Sequence, residues 1–588
     1  MDNHSGIIIK KVFLGTLAMM ILSSLSVLIG MIIDGVVIRN CLGAGEMAAY
    51  AVAGPVFVLL TAVSGIFSSG AQTVCARSLG RGDVGSANKC FSGTVITILL
   101  LSVVLVPGFF FFSDSLPALL GVSGEDQNLA GFVADYIKGL SLGIPFLCFS
   151  SLFTSMLNLE GRKNLAFMAM VISSAGNVAG DLLVAYVFHG GMFGMALATS
   201  FSYVISSSIM LSYYVRRKNI IKFMPRQAAL SSVREAAGIG LPSALSKACM
   251  MLRTVVFNWL ILTISTQAAL SAFSIRSNMN NLYGSVGLGI GMTTLVIGGV
   301  VIGEGSLKDT RQLLKTAIRY SLELNAIICG LIIVFAKQLV RIYTSAPEET
   351  ALAVNAFYFS ALTAPLATVS LTFMNYFQAT KNMKLTHLVC LLDNFVFPCL
   401  AAIVLGFTFG INGIWASVLV GEILMLITIY FLAWKRVGHM PKCLDDLLFL
   451  PENFDVPQED RLEFSCQNME GVVEASKAAY DFVLQKSGDK RKAYLVGLCI
   501  EELAGNIIRW GFASAKKNAV DIRVTYQGQF VLRFRDNCRP FNPKKWLEIN
   551  QPSEKEISSN FGIRMTVQRM EDIQYMSTLK LNHLLIKI

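Results

Sequence analysis

MIIDGVVIRN, residues 31–40, places an acid, Asp34, near the end of an apolar run that begins about residue 12. A run of that length crosses the ~30 Å hydrocarbon core of a bilayer as a helix. A carboxylate at membrane depth costs about 2.5–3.5 kcal/mol on insertion scales. A chain keeps one where it meets an ion, a polar cavity or a partner. Further runs near 47–75, 91–113, 132–156, 165–188, 192–215, 240–264, 267–302, 318–340, 352–379, 385–408 and 411–434 are also of spanning length. The reading is an all-α polytopic membrane protein of twelve spans. NVAGDLL (177–183) sets Asn177 and Asp181 four residues apart, on one helix face. Three polar groups in oily surroundings suggest an ion site; the alternative is a static polar cluster that stabilises helix packing.

The composition agrees. The chain has 588 residues, 54% hydrophobic and 15% charged, and its mean hydropathy is +0.58. The net charge of +11 is explained by where the cations fall, and nucleic acid is not an expected partner. Alternate connections carry 21 Lys and Arg, from Lys10 to Arg436, against three (Arg39, Lys337, Arg341) in the opposite set. The positive-inside rule then puts both termini in the cytoplasm, with an even number of spans. The first run has no small-residue cleavage site and reads as a retained helix. Twelve cysteines without a CxxC pair read as small apolar residues.

The membrane part repeats. LGIPFLCFSSLFTSMLNLEGRKN, around Pro145, is similar to LTAPLATVSLTFMNYFQATKNMK, around Pro365, at an offset of 220 residues. GGMFGMALATSFSY (190–203) is similar to FGINGIWASVLVGE (409–422) at 219. Six spans per half preserve orientation, so the repeat is parallel. Transporters built this way bind cargo between their halves and rock them for alternating access. The expected domains are residues 1–218 and 219–436 as six-helix lobes, 437–455 as a linker, and 456–588 as a cytoplasmic α/β sandwich. In the last, RLEFSCQ, DIRVTYQ, QFVLRFRD and LLIKI read as strands. MEGVVEASKAAYDFVLQ, KAYLVGLCIEELAGNIIRWGF and GIRMTVQRMEDI read as helices.

MIIDGVVIRNCLGAGEMAAYAVAGPV, GAQTVCARSLGRGDVGSANK, NVAGDLLVAYVFHGGMFGMALATSFSY and GINGIW resemble the multidrug and toxin extrusion (MATE) family. The resemblance implies an antiporter exporting small organic molecules from a bacterial cytoplasm. It implies a first-half cation site at Asp34, Asn177 and Asp181, joined by a hydroxyl at Thr199. Carboxylate, amide and hydroxyl oxygens suit a hard cation such as Na+, and the same carboxylates serve H+. The second half departs from a simple cation exporter. Lys247, Arg253, Arg276, Asp393 and Glu422 lie in or near its apolar runs. They either pair with one another and snorkel, or face an anionic or zwitterionic cargo.

The tail resembles the ATP-binding domain of anti-sigma-factor serine kinases, within the histidine-kinase-like ATPases. EELAGNIIRWG carries Glu502 and Asn506 as an N-box, FRDNCRPFNP carries Asp536, and NFGIRMTVQRMEDIQY carries Gly562. The resemblance implies Asn506 for Mg2+, Glu502 for phosphate chemistry, Asp536 for the adenine amino group and Gly562 for phosphate. Cys538 and Arg564 stand where that group has glycines, which puts ATP binding and kinase activity in doubt. No GxxxxGK[ST] stretch is present, so ATP hydrolysis is not expected to drive transport. A membrane-anchored signalling protein acting on a cytoplasmic regulator, or a lipid-linked precursor flippase, are the other readings. In the transporter reading, the tail could gate the pump by contacting connections 76–90 or 303–319 in one conformation.

Overall fold

In the computed structural model the described residues are 5–122, 126–216, 219–341, 343–344, 346–451, 453–512, 518–549 and 572–588. Eleven of their helices are long and apolar enough to cross a membrane. A pair, Gln127–Ser141 and Ile144–Leu159, bent by 50°, brings the number to twelve when it is counted as one span. The break falls where Gly143 precedes Pro145. Proline near a helix start is tolerated, while inside a helix it removes a ladder bond. Side chains such as Val103, Phe111, Val334 and Phe409 stay exposed around the bundle, as lipid-facing residues do.

The repeat is visible in backbone detail. A wide π-type turn, Val184–Phe188, follows Lys163–Leu183. Another, Leu392–Val396, follows Met383–Leu391. Between the halves, helix Ala44–Arg81 lies against Leu230–Ile264 and Gln267–Glu304. Small residues permit this. A Cβ on Gly70 would strike the Ala236 carbonyl, one on Gly240 the Ile66 carbonyl, one on Gly80 the Val300 carbonyl, and one on Gly303 the Arg77 carbonyl. Backbones in a bilayer approach this closely only where side chains are missing.

The tail holds a five-stranded antiparallel sheet of order β1-β2-β3-β5-β4. Its strands are β1 (Arg461–Cys466), β2 (Val520–Tyr526), β3 (Phe530–Asp536), β4 (Asp572–Thr578) and β5 (Leu581–Lys587). Val520, Ile522, Val524, Leu532 and Phe534 are buried together with Val472, Ala479, Val496 and Ile500 of helices Met469–Ser487 and Lys490–Asn506. Strand alternation sends Asp521, Arg523, Arg533 and Arg535 to the opposite face. Asp521 pairs across with Arg535, and Arg523 with Arg533. The expected helix over 562–573 fails where it is described: Asp572 and Ile573 begin β4, which pairs with β5. Most of that segment, with Gly562 and Arg564, lies outside the described residues.

The polar face of the sheet meets the membrane part. Arg535 makes a two-pronged contact with Asp309, Nη1 to Oδ2 at 2.9 Å and Nη2 to Oδ1 at 3.1 Å. It also reaches Glu304 at 3.1 Å and Asp521 at 2.9 Å. Arg533 donates to the Gly80 carbonyl at 3.1 Å, and the Leu579 amide to the Leu159 carbonyl at 2.9 Å. Gly82 ends helix Ala44–Arg81 at φ +87°, with Gln574 against it. Segment 437–455 is itself packed: Tyr376 donates to the Leu448 carbonyl at 2.8 Å, and Phe449 meets Phe377 edge-on.

Alanine at Gly240 or Gly303 should force the halves apart and lower thermal stability markedly. Gly108→Ala, where nothing lies within 4 Å of the added Cβ, should be neutral or stabilising by up to about 1 kcal/mol from helix propensity. Melting curves of the three purified variants check this. Equal losses in all three would mean that the close approach does not set stability.

Candidate functional site

Asp34 sits in the last turn of the first helix, Ser5–Val37, and Asn177 and Asp181 in Lys163–Leu183. The two helices pack together. The shared face of Asn177 and Asp181 turns toward Asp34. Asn177 Nδ2 donates to Asp34 Oδ1 and lies 3.4 Å from Asp181 Oδ2. All three side chains are buried, at 7%, 5% and 1% exposure for Asp34, Asn177 and Asp181. Two oxygens of this cluster, Asn177 Oδ1 and Asp181 Oδ1, are buried without a hydrogen-bond partner. An unsatisfied buried acceptor costs about 1–3 kcal/mol. Two lie in one cluster with a second carboxylate at hand.

Tyr50 and Tyr136 lie within electrostatic reach of both acids and Tyr203 within reach of Asp34. Tyr50 and Tyr136 meet edge to face, with centroids 5.5 Å apart. Sequence reasoning missed these tyrosines. They come from three separate helices, and no spacing links them to the acids. Thr199 is less closely joined: its hydroxyl donates to the Met195 carbonyl of its own helix at 3.3 Å.

The second half gathers some of its charges. Glu422 accepts from Ser370 Oγ at 2.8 Å and is hydrogen-bonded to Asp393, with Arg253 in electrostatic range of both. Arg276 Nε donates to Ser360 Oγ at 2.6 Å, and its guanidinium lies over the Trp415 ring. Lys247 is half-buried on helix Leu230–Ile264. The structure therefore joins Asp393, Glu422 and Arg253, and Ser360 and Trp415 hold Arg276.

In the tail, a cavity of about 370 Å³ is lined by Asn506, Trp510, Asp536, Phe541, Trp546 and Asn582, among others. Burial raises the Asp536 carboxyl above its usual range, against hydrogen bonds from Asn582 and the Cys538 amide. Both donors take Oδ1, at 2.8 and 2.9 Å. Aromatic rings line the same pocket. Burial first, and then Asp536, push the Cys538 thiol up to about 12, so that side chain is a neutral filler. The phosphate end fits less well. Asn506 Nδ2 donates to the Glu502 carbonyl of its own helix at 2.6 Å. Glu502 is not among the residues lining the cavity. Among the described residues no three His, Cys, Asp or Glu side chains cluster as a metal site. The pocket thus combines one buried carboxylate with aromatic rings.

Comparison with known proteins bears on the membrane part. Multidrug export protein MepA of Staphylococcus haemolyticus is 24% identical over 432 residues, covering 73% of this chain and 94% of that one. MepA of Staphylococcus saprophyticus is 23% identical over 414 residues, covering 69% and 88%. An outward-facing multidrug resistance MATE family transporter of the MOP superfamily superposes with a TM-score of 0.69 at 21% identity, covering 73% of this chain and 96% of its own. A MOP superfamily transporter from Pyrococcus furiosus gives 0.68 at 21%, covering 74% and 97%. The MatE family model matches residues 20–183 and 242–404. These two segments take in more than half of the chain, both the helices that carry Asp34, Asn177 and Asp181 and their counterparts in the second half, and the chain belongs to the MatE family.

Proposed function

We propose that this protein is an ion-coupled antiporter that exports small organic molecules across a bacterial cytoplasmic membrane. It works by alternating access between two six-helix lobes, 1–218 and 219–436. The observation that carries the reading is the pair of orphan oxygens, Asn177 Oδ1 and Asp181 Oδ1, buried beside Asp34. Either Na+ or H+ satisfies them: Na+ by ligation, H+ by protonating one of two carboxylates that cannot share a dry site fully charged. Loading the ion changes the charge of the first lobe, and that change is what a gradient can drive. The export activity named for the MepA relatives supports the cargo class. The cation count of 21 against three supports cytoplasmic termini. The Asp393–Glu422–Arg253 group supplies the second lobe's polar contacts for cargo.

The tail, in this reading, is a cytoplasmic regulatory domain that retains the base-binding end of a nucleotide pocket. Asp536 Oδ2 and the rings of Trp510, Phe541 and Trp546 would hold the base. A bound nucleotide would bring a polyanion beside the membrane part. No driving role for its hydrolysis enters the scheme.

In proteoliposomes, efflux of a fluorescent cationic dye should follow an imposed Na+ or H+ gradient, and the effective gradient names the ion. Asp34→Asn should abolish it while leaving the protein folded. Efflux that persists in Asp34→Asn, or that survives collapse of both gradients, would remove the antiporter reading.

Titration of the full-length protein with a fluorescent adenine nucleotide should saturate. Asp536→Asn should weaken binding by about ten- to hundredfold, the worth of one hydrogen bond to a charged group. Absence of saturation eliminates the nucleotide pocket and leaves transport untouched.

A further inference from the structure

The tail does not sit on one half of the membrane part; it straddles both. On the first half, the Leu579 amide bonds the Leu159 carbonyl and Arg533 bonds the Gly80 carbonyl; Met576 and Leu579 join an apolar core drawn from both halves, Ala87 and Leu159 with Val300 and Leu313 among them. On the second half, Arg535 is ringed by Glu304 and Asp309, and Arg523 reaches the Gly305 carbonyl at 3.3 Å. His583 Nδ1 stands 3.0 Å from Glu304 Oε1. Gly80 and Glu304 end the two helices whose backbones touch between the halves. The sheet therefore lies over the seam where the halves meet, on the side that is closed.

We propose that the tail is a clamp. Docked across the seam, it holds the two lobes together at their tail-side ends and keeps the transporter closed toward the cytoplasm, with Arg535 as the lock. This rests on the alternating-access reading above. A transporter that opens on that side must part Gly80 from Val300 and Gly303 from Arg77. A rigid sheet bonded to both sides of the seam opposes that separation until it lets go of one lobe. The lock is sensitive by construction. Arg535, Glu304, Asp309 and Asp521 have side chains only 7%, 4%, 12% and 14% exposed. Removing one partner from such a group leaves charges buried and uncompensated. The cluster is also poised for control, because one guanidinium holds three carboxylates from two parts of the chain.

The test uses the full chain with nitroxide labels on genetically encoded keto amino acids at Lys89 and Lys315, exposed positions on the first and second lobes. This choice leaves the native cysteines in place. Double electron–electron resonance reads the distance across the seam, and proteoliposome efflux reads turnover. Wild type should give one short distance. Arg535→Gln should add a longer component, raising the open fraction by about tenfold or more, with faster efflux. Asp309→Asn lies outside the tail and spares the tail's own core, so it must reproduce the shift even if Arg535→Gln disturbs the sheet. The double variant should match the single ones, because both break one contact. Distance distributions unchanged from wild type in both single variants overturn the clamp, whether or not the tail has left the seam. A shifted distance without gradient-driven efflux in any variant leaves the clamp standing and rejects the export reading instead.

Discussion

Two helices in a bilayer meet backbone to backbone only where both lack side chains at the crossing. Here helix Ala44–Arg81 meets two second-half helices through Gly70, Gly80, Gly240 and Gly303. Everything at the tail end of the bundle depends on that contact. It brings the connection after Arg81 beside the connection after Glu304, and so creates a surface made of both halves. The sheet of the tail, with Arg523, Arg533 and Arg535 on its outer face, is matched to that surface in charge. Glu304 and Asp309 come from one side and the Gly80 carbonyl from the other.

The buried cluster around Asp34 obeys a different constraint. Lipid supplies no hydrogen bonds, so Asp34 is tolerable only because Asn177 turns an amide toward it. That amide serves both carboxylates, and the cost is the two acceptors left without donors. A structural cluster would close its own hydrogen bonds. This one leaves two acceptors open, as the proposed ion site requires. The second half carries a comparable acid pair: Ser370 caps Glu422, Asp393 bonds it, and Asp393 Oδ1 is likewise buried without a partner.

Much of this was legible in the sequence, and what was not has identifiable causes. Apolar run length marked the spans. The acid in MIIDGVVIRN and the four-residue step in NVAGDLL pointed to the buried cluster of Asp34, Asn177 and Asp181, because helix periodicity fixes a shared face. The repeat around Pro145 and Pro365 marked the two halves. The bend inside 132–156 was hidden, since a break of two residues does not interrupt hydropathy. β4 was misread because DIQYMST continues a stretch that resembles a helix, and its pairing partner β5 decides its state. The tyrosines around the acids carry no sequence mark. The docking face did carry one: arginines at 533 and 535, two residues apart on a strand, point the same way, and a solvated sheet seldom needs two buried guanidinium groups there.

Segment 437–455 gives the tail a further property. It packs along the second half through Leu448 and Phe449 and delivers the sheet to the seam over a short reach. Attachment of that kind sets a local concentration on the order of millimolar. An interface that would be too weak between separate molecules is then occupied almost always. Its strength can stay modest, and a change of about 1.4 kcal/mol at Arg535 moves the docked-to-free ratio tenfold. Covalent continuity thus lets a largely polar contact be both well occupied and easily reversed, a combination that two free proteins reach only by raising their abundance.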